Sequence, residues 1–143
     1  MFRKLLEELK MVRESGSYTA VWLHGTQGYG KSHLLAILVC YLAAQDERVV
    51  YIPDCPALLE DPVEYLQAIM LFAWADDIAI QKFIMTLNTL KKINHFFKNR
   101  KNVIFVIDQM NALEFDGSRE QKKREDLSDW IKRITFRHKK VLS

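Results

Sequence analysis

The stretch Gly25-Thr26-Gln27-Gly28-Tyr29-Gly30-Lys31-Ser32 constrains this chain more than any other. It satisfies the phosphate-binding pattern G-x-x-x-x-G-K-[ST] at every fixed position. Small residues let the backbone close around a polyphosphate, so that its N–H groups point inward as donors. Lys31 adds a point charge for the terminal phosphates, and the Ser32 hydroxyl can ligate Mg²⁺. The flanks agree with the letters. Thr19 to His24 reads as a short buried strand, and Ser32 to Ala44, apolar without Gly or Pro, reads as a helix. Strand, glycine loop and helix form the order the motif requires, and the helix turns its positive end toward the same anion. Gly25 through Ser32 are therefore the candidate nucleotide cradle, and Lys31 is also a catalytic candidate.

A second strand is expected at Val49-Val50-Tyr51-Ile52, followed by Pro53-Asp54-Cys55-Pro56, which must leave the sheet because proline cannot continue a ladder. Ligands in open α/β sheets bind at the carboxyl ends of strands. Asp54, two residues past a strand, is thus a catalytic candidate; turn formation is its structural alternative. Asp61-Pro62 opens a helix, with Asp as cap and Pro in the first turn. Asp77 caps another, expected to run to about Asn99 with Ile78, Ile80, Phe83, Ile84, Leu87, Leu90, Ile93 and Phe97 on its buried side.

Val103-Ile104-Phe105-Val106-Ile107 is a continuous apolar run between polar flanks, the pattern of a parallel strand buried on both faces. Asp108 follows directly. A P-loop NTPase places there the carboxylate that orients Mg²⁺. Lying 76 residues beyond Ser32 with a strand between, Asp108 is the second metal candidate after Ser32. Gln109 stands where many such ATPases carry Glu. An amide cannot act as a base, but it can orient a water. Slow hydrolysis, a nucleotide switch that turns over poorly, and a base elsewhere (Asp54 or Glu114) all remain open. Met110 to Gly117 reads as a loop. A charged helix from about Arg119 to Phe136 follows, with Leu127, Trp130, Ile131, Ile134 and Phe136 as its apolar face.

The fold class is α/β: a P-loop NTPase with three α/β/α layers and a mostly parallel sheet, apparently truncated after the Asp108 strand and its following helix. One domain is expected over 1–143, with an amphipathic N-terminal helix at 1–16 and a nucleotide-binding core at 17–143 that is incomplete at its C-terminus. Composition supports a packed core, since 49% of the 143 residues are apolar. The net charge of +3 does not by itself argue for a polyanion partner. Its distribution is uneven. Residues 119–143 carry nine basic and four acidic groups, against twelve and fourteen in the rest. Nucleic-acid contact through the basic segment 119–140 is one reading, and a solvated helix face is the other. Cys40 and Cys55 lack metal-ligand spacing and read as free thiols of a reducing compartment. Met1 to Lys10 is charged rather than apolar, unlike a signal peptide. No stretch has the ~20 apolar residues of a membrane span, because Asp76-Asp77 breaks the apolar run from Ile69 to Ile80. The expectation is an intracellular protein without membrane contact.

Together, Gly25 to Ser32, Tyr51-Ile52-Pro53-Asp54-Cys55 and Val106-Ile107-Asp108-Gln109-Met110-Asn111-Ala112-Leu113 resemble the ATPase domain of Crinkler-type effectors, in the STAND signalling branch of AAA-like P-loop ATPases. The resemblance spans roughly Ala20 to Leu113. It implies binding of ATP with Mg²⁺, hydrolysis, and action in a host nucleus, with Lys31, Ser32 and Asp108 at matching positions and Gln109 in the family's Asp-Gln pair. In that branch a further strand lies between the P-loop strand and the Asp108 strand, and here only Val141-Leu142-Ser143 could begin it. The chain is therefore expected to be a fragment, or to have its sheet completed by another copy or a partner protein. Two other classes stand beside an ATPase or nucleotide switch. A small-molecule P-loop kinase would need phosphate-clamping arginines, for which Arg119 and Arg124 are nearest. A pseudo-ATPase interaction module would account for Gln109 and for the missing strand.

Overall fold

The computed structural model describes residues 2–14, 20–24, 30–114, 117 and 119–143. Four strands, β1 (Ala20–Trp22), β2 (Arg48–Ile52), β3 (Val103–Ile107) and β4 (Lys139–Leu142), form one parallel sheet in the order β1-β4-β3-β2. The α/β P-loop class is thus realised with every strand pair parallel. β4 forms where only the opening of a strand was expected, and it lies between β1 and β3. Its centre is Val141, aligned with Val21 on one side and Val106 on the other.

Strand alternation divides the core into two layers. Val49, Ile104, Val106 and Val141 point to the face covered by α1 (Phe2–Glu14) and α2 (Lys31–Ala44), where Leu5, Leu9, Leu35, Leu38 and Leu42 are buried. Val50, Ile52, Val103, Phe105, Ile107 and Leu142 point to the opposite face. That face is covered by α3 (Cys55–Glu60), α4 (Pro62–Ala73), α5 (Ile78–Ile84), α6 (Leu90–Lys98) and α7 (Gln121–Thr135). β3 is buried at all five positions, as its apolar run requires.

Four local features differ from the sequence reading. Pro53 to Pro56 does not simply turn. Asp54 caps the short helix α3, its Oδ1 accepting from the Ala57 N–H at 3.0 Å. The helix expected from Asp77 to Asn99 is two helices. Asp77 caps α5 as expected, but Thr86 Oγ donates to the Phe83 carbonyl at 2.6 Å and Thr89 Oγ accepts from the Lys92 N–H. These two threonines close one helix and open the next, and the change of direction leaves Ile78 and Phe83 exposed while Ile84, Leu87 and Ile93 are buried. Met110–Leu113, read as loop, is a 3₁₀ turn. Phe136, expected on the buried face of α7, lies past the helix end and is 71% exposed.

Candidate nucleotide site

The site is built at the carboxyl edge of the sheet. β1 leads toward the glycine-rich segment, of which Gly25, Thr26, Gln27, Gly28 and Tyr29 lie outside the described residues. Its last glycine, Gly30, precedes α2 with φ 69° and ψ 19°. That left-handed conformation costs an L-residue with a side chain about 1–2 kcal/mol, so glycine is required by backbone rather than by space. The Gly30 carbonyl accepts the first helical bond, from the Leu34 N–H at 2.9 Å. Among the described residues no side chain caps α2, and its first turn contains no acid. The leading N–H groups of a helix point out of its N-terminal end, the arrangement that favours an anion. Lys31 is half-buried and Ser32 exposed at this end.

The ladder continues one residue past β3 and β4. Asp108 N–H donates to the Ile52 carbonyl at 2.8 Å, and Ser143 N–H to the Ile107 carbonyl at 2.9 Å. The two-residue period of Ile104 and Val106 therefore assigns Asp108 to the α2 face of the sheet. One strand separates β3 from β1, so the ends of these two strands stand about 10 Å apart across the sheet edge, on the scale of a polyphosphate.

The Asp108 carboxylate is 3% exposed. Its Oδ1 accepts from the Gln109 N–H at 2.8 Å, whereas its Oδ2 is buried with no hydrogen-bond donor among the described residues. An unsatisfied buried charge costs several kcal/mol unless a cation or donor meets it. A hard oxygen of this kind, with the Ser32 hydroxyl available at the end of α2, fits the donor set Mg²⁺ takes.

Three hydrogen bonds fix the backbone around Asp108. The Cys55 thiol donates to the Asp108 carbonyl at 3.1 Å. Burial, followed by the charges of Asp108 and Asp54, pushes that thiol up to about 12, so it remains a protonated donor. Met110 N–H donates to the Ser143 carbonyl at 2.9 Å, tying the turn after β3 to the end of β4. Arg124 of α7 donates to the Ala112 carbonyl, so this candidate phosphate clamp holds the 3₁₀ turn in place. Gln109 is exposed in a left-handed conformation (φ 59°), a strained backbone retained by these bonds.

Asp54 sits at the same edge, half-buried, with one carboxylate oxygen engaged as helix cap and its N–H donated to the Tyr65 hydroxyl at 3.1 Å. Tyr65 is pushed up to about 12, chiefly by burial and, among the nearby charges, by Asp54. Tyr51 is raised by burial and then by the Asp108 charge. Glu114 is exposed beyond the 3₁₀ turn. Cys55, Tyr65 and the Ser143 carbonyl are the supporting groups that sequence reasoning missed. Only the Asp54-Cys55-Pro56 spacing, a helix-start signature, pointed toward any of them.

A parallel sheet in this order, with a glycine-capped helix after β1 and a buried aspartate ending β3, defines a nucleotide-binding P-loop NTPase of the STAND signalling branch. The family model described as NACHT domain matches residues 19–143, and the chain belongs to that family. No curated protein matches the chain. No described helix is long and apolar enough to cross a membrane.

Proposed function

We propose that this chain is a Mg²⁺-dependent ATP-binding module that acts as a slow ATPase or nucleotide switch of an intracellular signalling or effector protein. The observation that carries the reading is the buried Oδ2 of Asp108, which meets no donor among the described residues, on the face shared with the start of α2. Gly25 to Ser32 would hold the phosphates, with Lys31 on their terminal oxygens. Ser32 and Asp108 would hold Mg²⁺, which when bound neutralises phosphate charge. Gln109 would orient water through its amide, and its exposure leaves it free to do so. Asp54 could serve as a base only through the oxygen not spent on Ala57.

The finer likeness to Crinkler effectors rests on the Asp-Gln-Met-Asn-Ala-Leu run and on Pro-Asp-Cys, and a host-nuclear site of action follows from that likeness alone. The place between β1 and β3, where a second copy or another protein was expected to complete the sheet, is taken by β4 of this chain. A pseudo-ATPase role is kept as a second reading because an amide stands at position 109.

The test measures Mg-ATP binding and phosphate release for the wild type and Lys31→Ala. The expected result is tight binding with slow release for the wild type, and loss of both in the variant. Absence of nucleotide binding by the wild type would sink the proposal. Binding without any release would leave the switch and remove the ATPase.

A further inference from the structure

The basic groups that the nucleotide site does not use converge at the opposite edge of the sheet. α6 ends at Lys98 and α7 at Thr135, both near the amino ends of β3 and β4. Between them lies a cavity of about 180 Å³, with Asn94, Lys98, Arg133, Arg137 and His138 on its polar side and Phe136 among its apolar lining. Among the described residues no carboxylate lines it. Among the described residues, Lys98, Arg133 and Arg137 form no ion pair. His138 is 5% exposed. A carbonyl can only accept, so its Nε2–H donates to the Phe97 carbonyl at 3.0 Å, and Nδ1 is its second polar atom.

The ordinary reason for cations here is the negative end of a helix, and Lys98 and Arg133 do lie in last turns. That reason is too small. Two helix ends supply about half a negative charge each, against three formal positive charges around one concavity. Arg137 and His138, moreover, lie beyond α7. The segment from Leu90 to Asn102 adds Lys91, Lys92, Arg100 and Lys101 and contains no acid. On α7 the Asp129 carboxylate lies 3.9 Å from Lys132 Nζ, and Arg133 Nε donates to the Asp129 main-chain carbonyl at 3.4 Å, which leaves its two terminal nitrogens for a ligand.

We propose that this cavity is a second anion site, which takes the terminal phosphate or pyrophosphate group of a small phosphorylated molecule. It lies a strand length, about 15 Å, from the nucleotide edge, so one ligand does not fill both sites. Its cations surround a single concavity instead of running as a stripe, which favours a compact ligand over a nucleic-acid backbone. Arg133 and Arg137 can grip phosphate oxygens in a fork, with Lys98 as a point charge.

Inorganic pyrophosphate, without Mg²⁺, is titrated by calorimetry into the Lys31→Ala chain, where the P-loop site is impaired. The same titration is made after adding Lys98→Ala and Arg137→Ala. Both side chains are exposed, and a thermal melt checks that the fold is kept. The expected result is one pyrophosphate bound by Lys31→Ala, about tenfold weaker binding once the two cations are gone, and a shift of the His138 ring protons in the first titration only. Three results would overturn the proposal. Lys31→Ala binds no pyrophosphate; or Lys122→Ala with Lys123→Ala, at the far end of α7, weakens binding as much; or a single-stranded oligonucleotide at equal phosphate concentration binds more tightly through Lys98 and Arg137.

Discussion

The thiol of Cys55 donates to the main-chain carbonyl of Asp108 across 53 residues of sequence, at 3.1 Å. The bond joins the first residue of α3 to the end of β3, and thereby fixes the backbone that aims the site's carboxylate. It also separates the chemistry of the two cysteines. Cys55 is fully buried with its thiol pushed up to about 12, whereas Cys40 is exposed on α2. Cys55 therefore stays a thiol at pH 8. A thiol reagent at pH 8 is expected to modify one cysteine of the native chain quickly, and the second only after denaturation. Cys55→Ala removes a hydrogen bond and a packed atom, and should cost about 1–2 kcal/mol in urea unfolding.

Asp108 holds a charged oxygen in the core without a donor among the described residues. Asp108→Asn keeps the acceptor for the Gln109 N–H and removes the charge. Without nucleotide or metal, this variant should be more stable than the wild type by about 1 kcal/mol or more, raising the melting temperature by several degrees. A lower melting temperature would mean that the carboxylate finds a partner in the apo protein.

Asp61 and Asp77 accept from Glu64 and Ile80 N–H groups, each at 3.1 Å, and Asp54 does the same for Ala57. Alanine at Asp61 or Asp77 should cost about 1 kcal/mol each in chemical unfolding. The three caps show which elements were legible in the sequence. Asp61-Pro62 announces its helix because a long apolar pattern follows. Asp54-Cys55-Pro56 uses the same device, but α3 is only six residues long and the segment reads as a strand-end turn. The break between α5 and α6 has no Gly or Pro; Thr86 and Thr89 make it with local hydrogen bonds that residue type alone signals weakly. β3 was plain from five consecutive apolar residues. β4 was half hidden, because two charged residues, Lys139 and Lys140, open it; both are half-buried, and Lys140 Nζ donates to the Thr135 carbonyl and hydroxyl at 3.4 and 3.3 Å. At the site, the motif positions Lys31, Ser32 and Asp108 could be read locally. The bonds of Cys55 and Ser143 to the β3 end depend on chain folding and could not.

His138 is buried, with its ring centroid 5.3 Å from that of Phe105 in an edge-on contact and its Nε2–H on the Phe97 carbonyl. Burial first, and the Lys140 charge to a lesser degree, hold its pKa below the usual 6.5, although the Phe97 bond opposes the shift. Between the folded value and 6.5 the unfolded chain therefore binds more protons, so stability rises with pH in that window. Stability should be full above pH 6.5 and fall progressively below it. Urea unfolding at pH 7.5 and 5.5 should show this loss in the wild type and a smaller one in His138→Gln.

The metal role of Asp108 is tested most directly by ATP affinity with Mg²⁺ and with chelator, compared between the wild type and Asp108→Ala. Mg²⁺ should tighten ATP binding by the wild type, and the variant should lose about 10–100-fold of the Mg²⁺-dependent affinity while binding metal-free ATP nearly as before. Equal losses with and without Mg²⁺ would contradict the assignment of Asp108 to the metal.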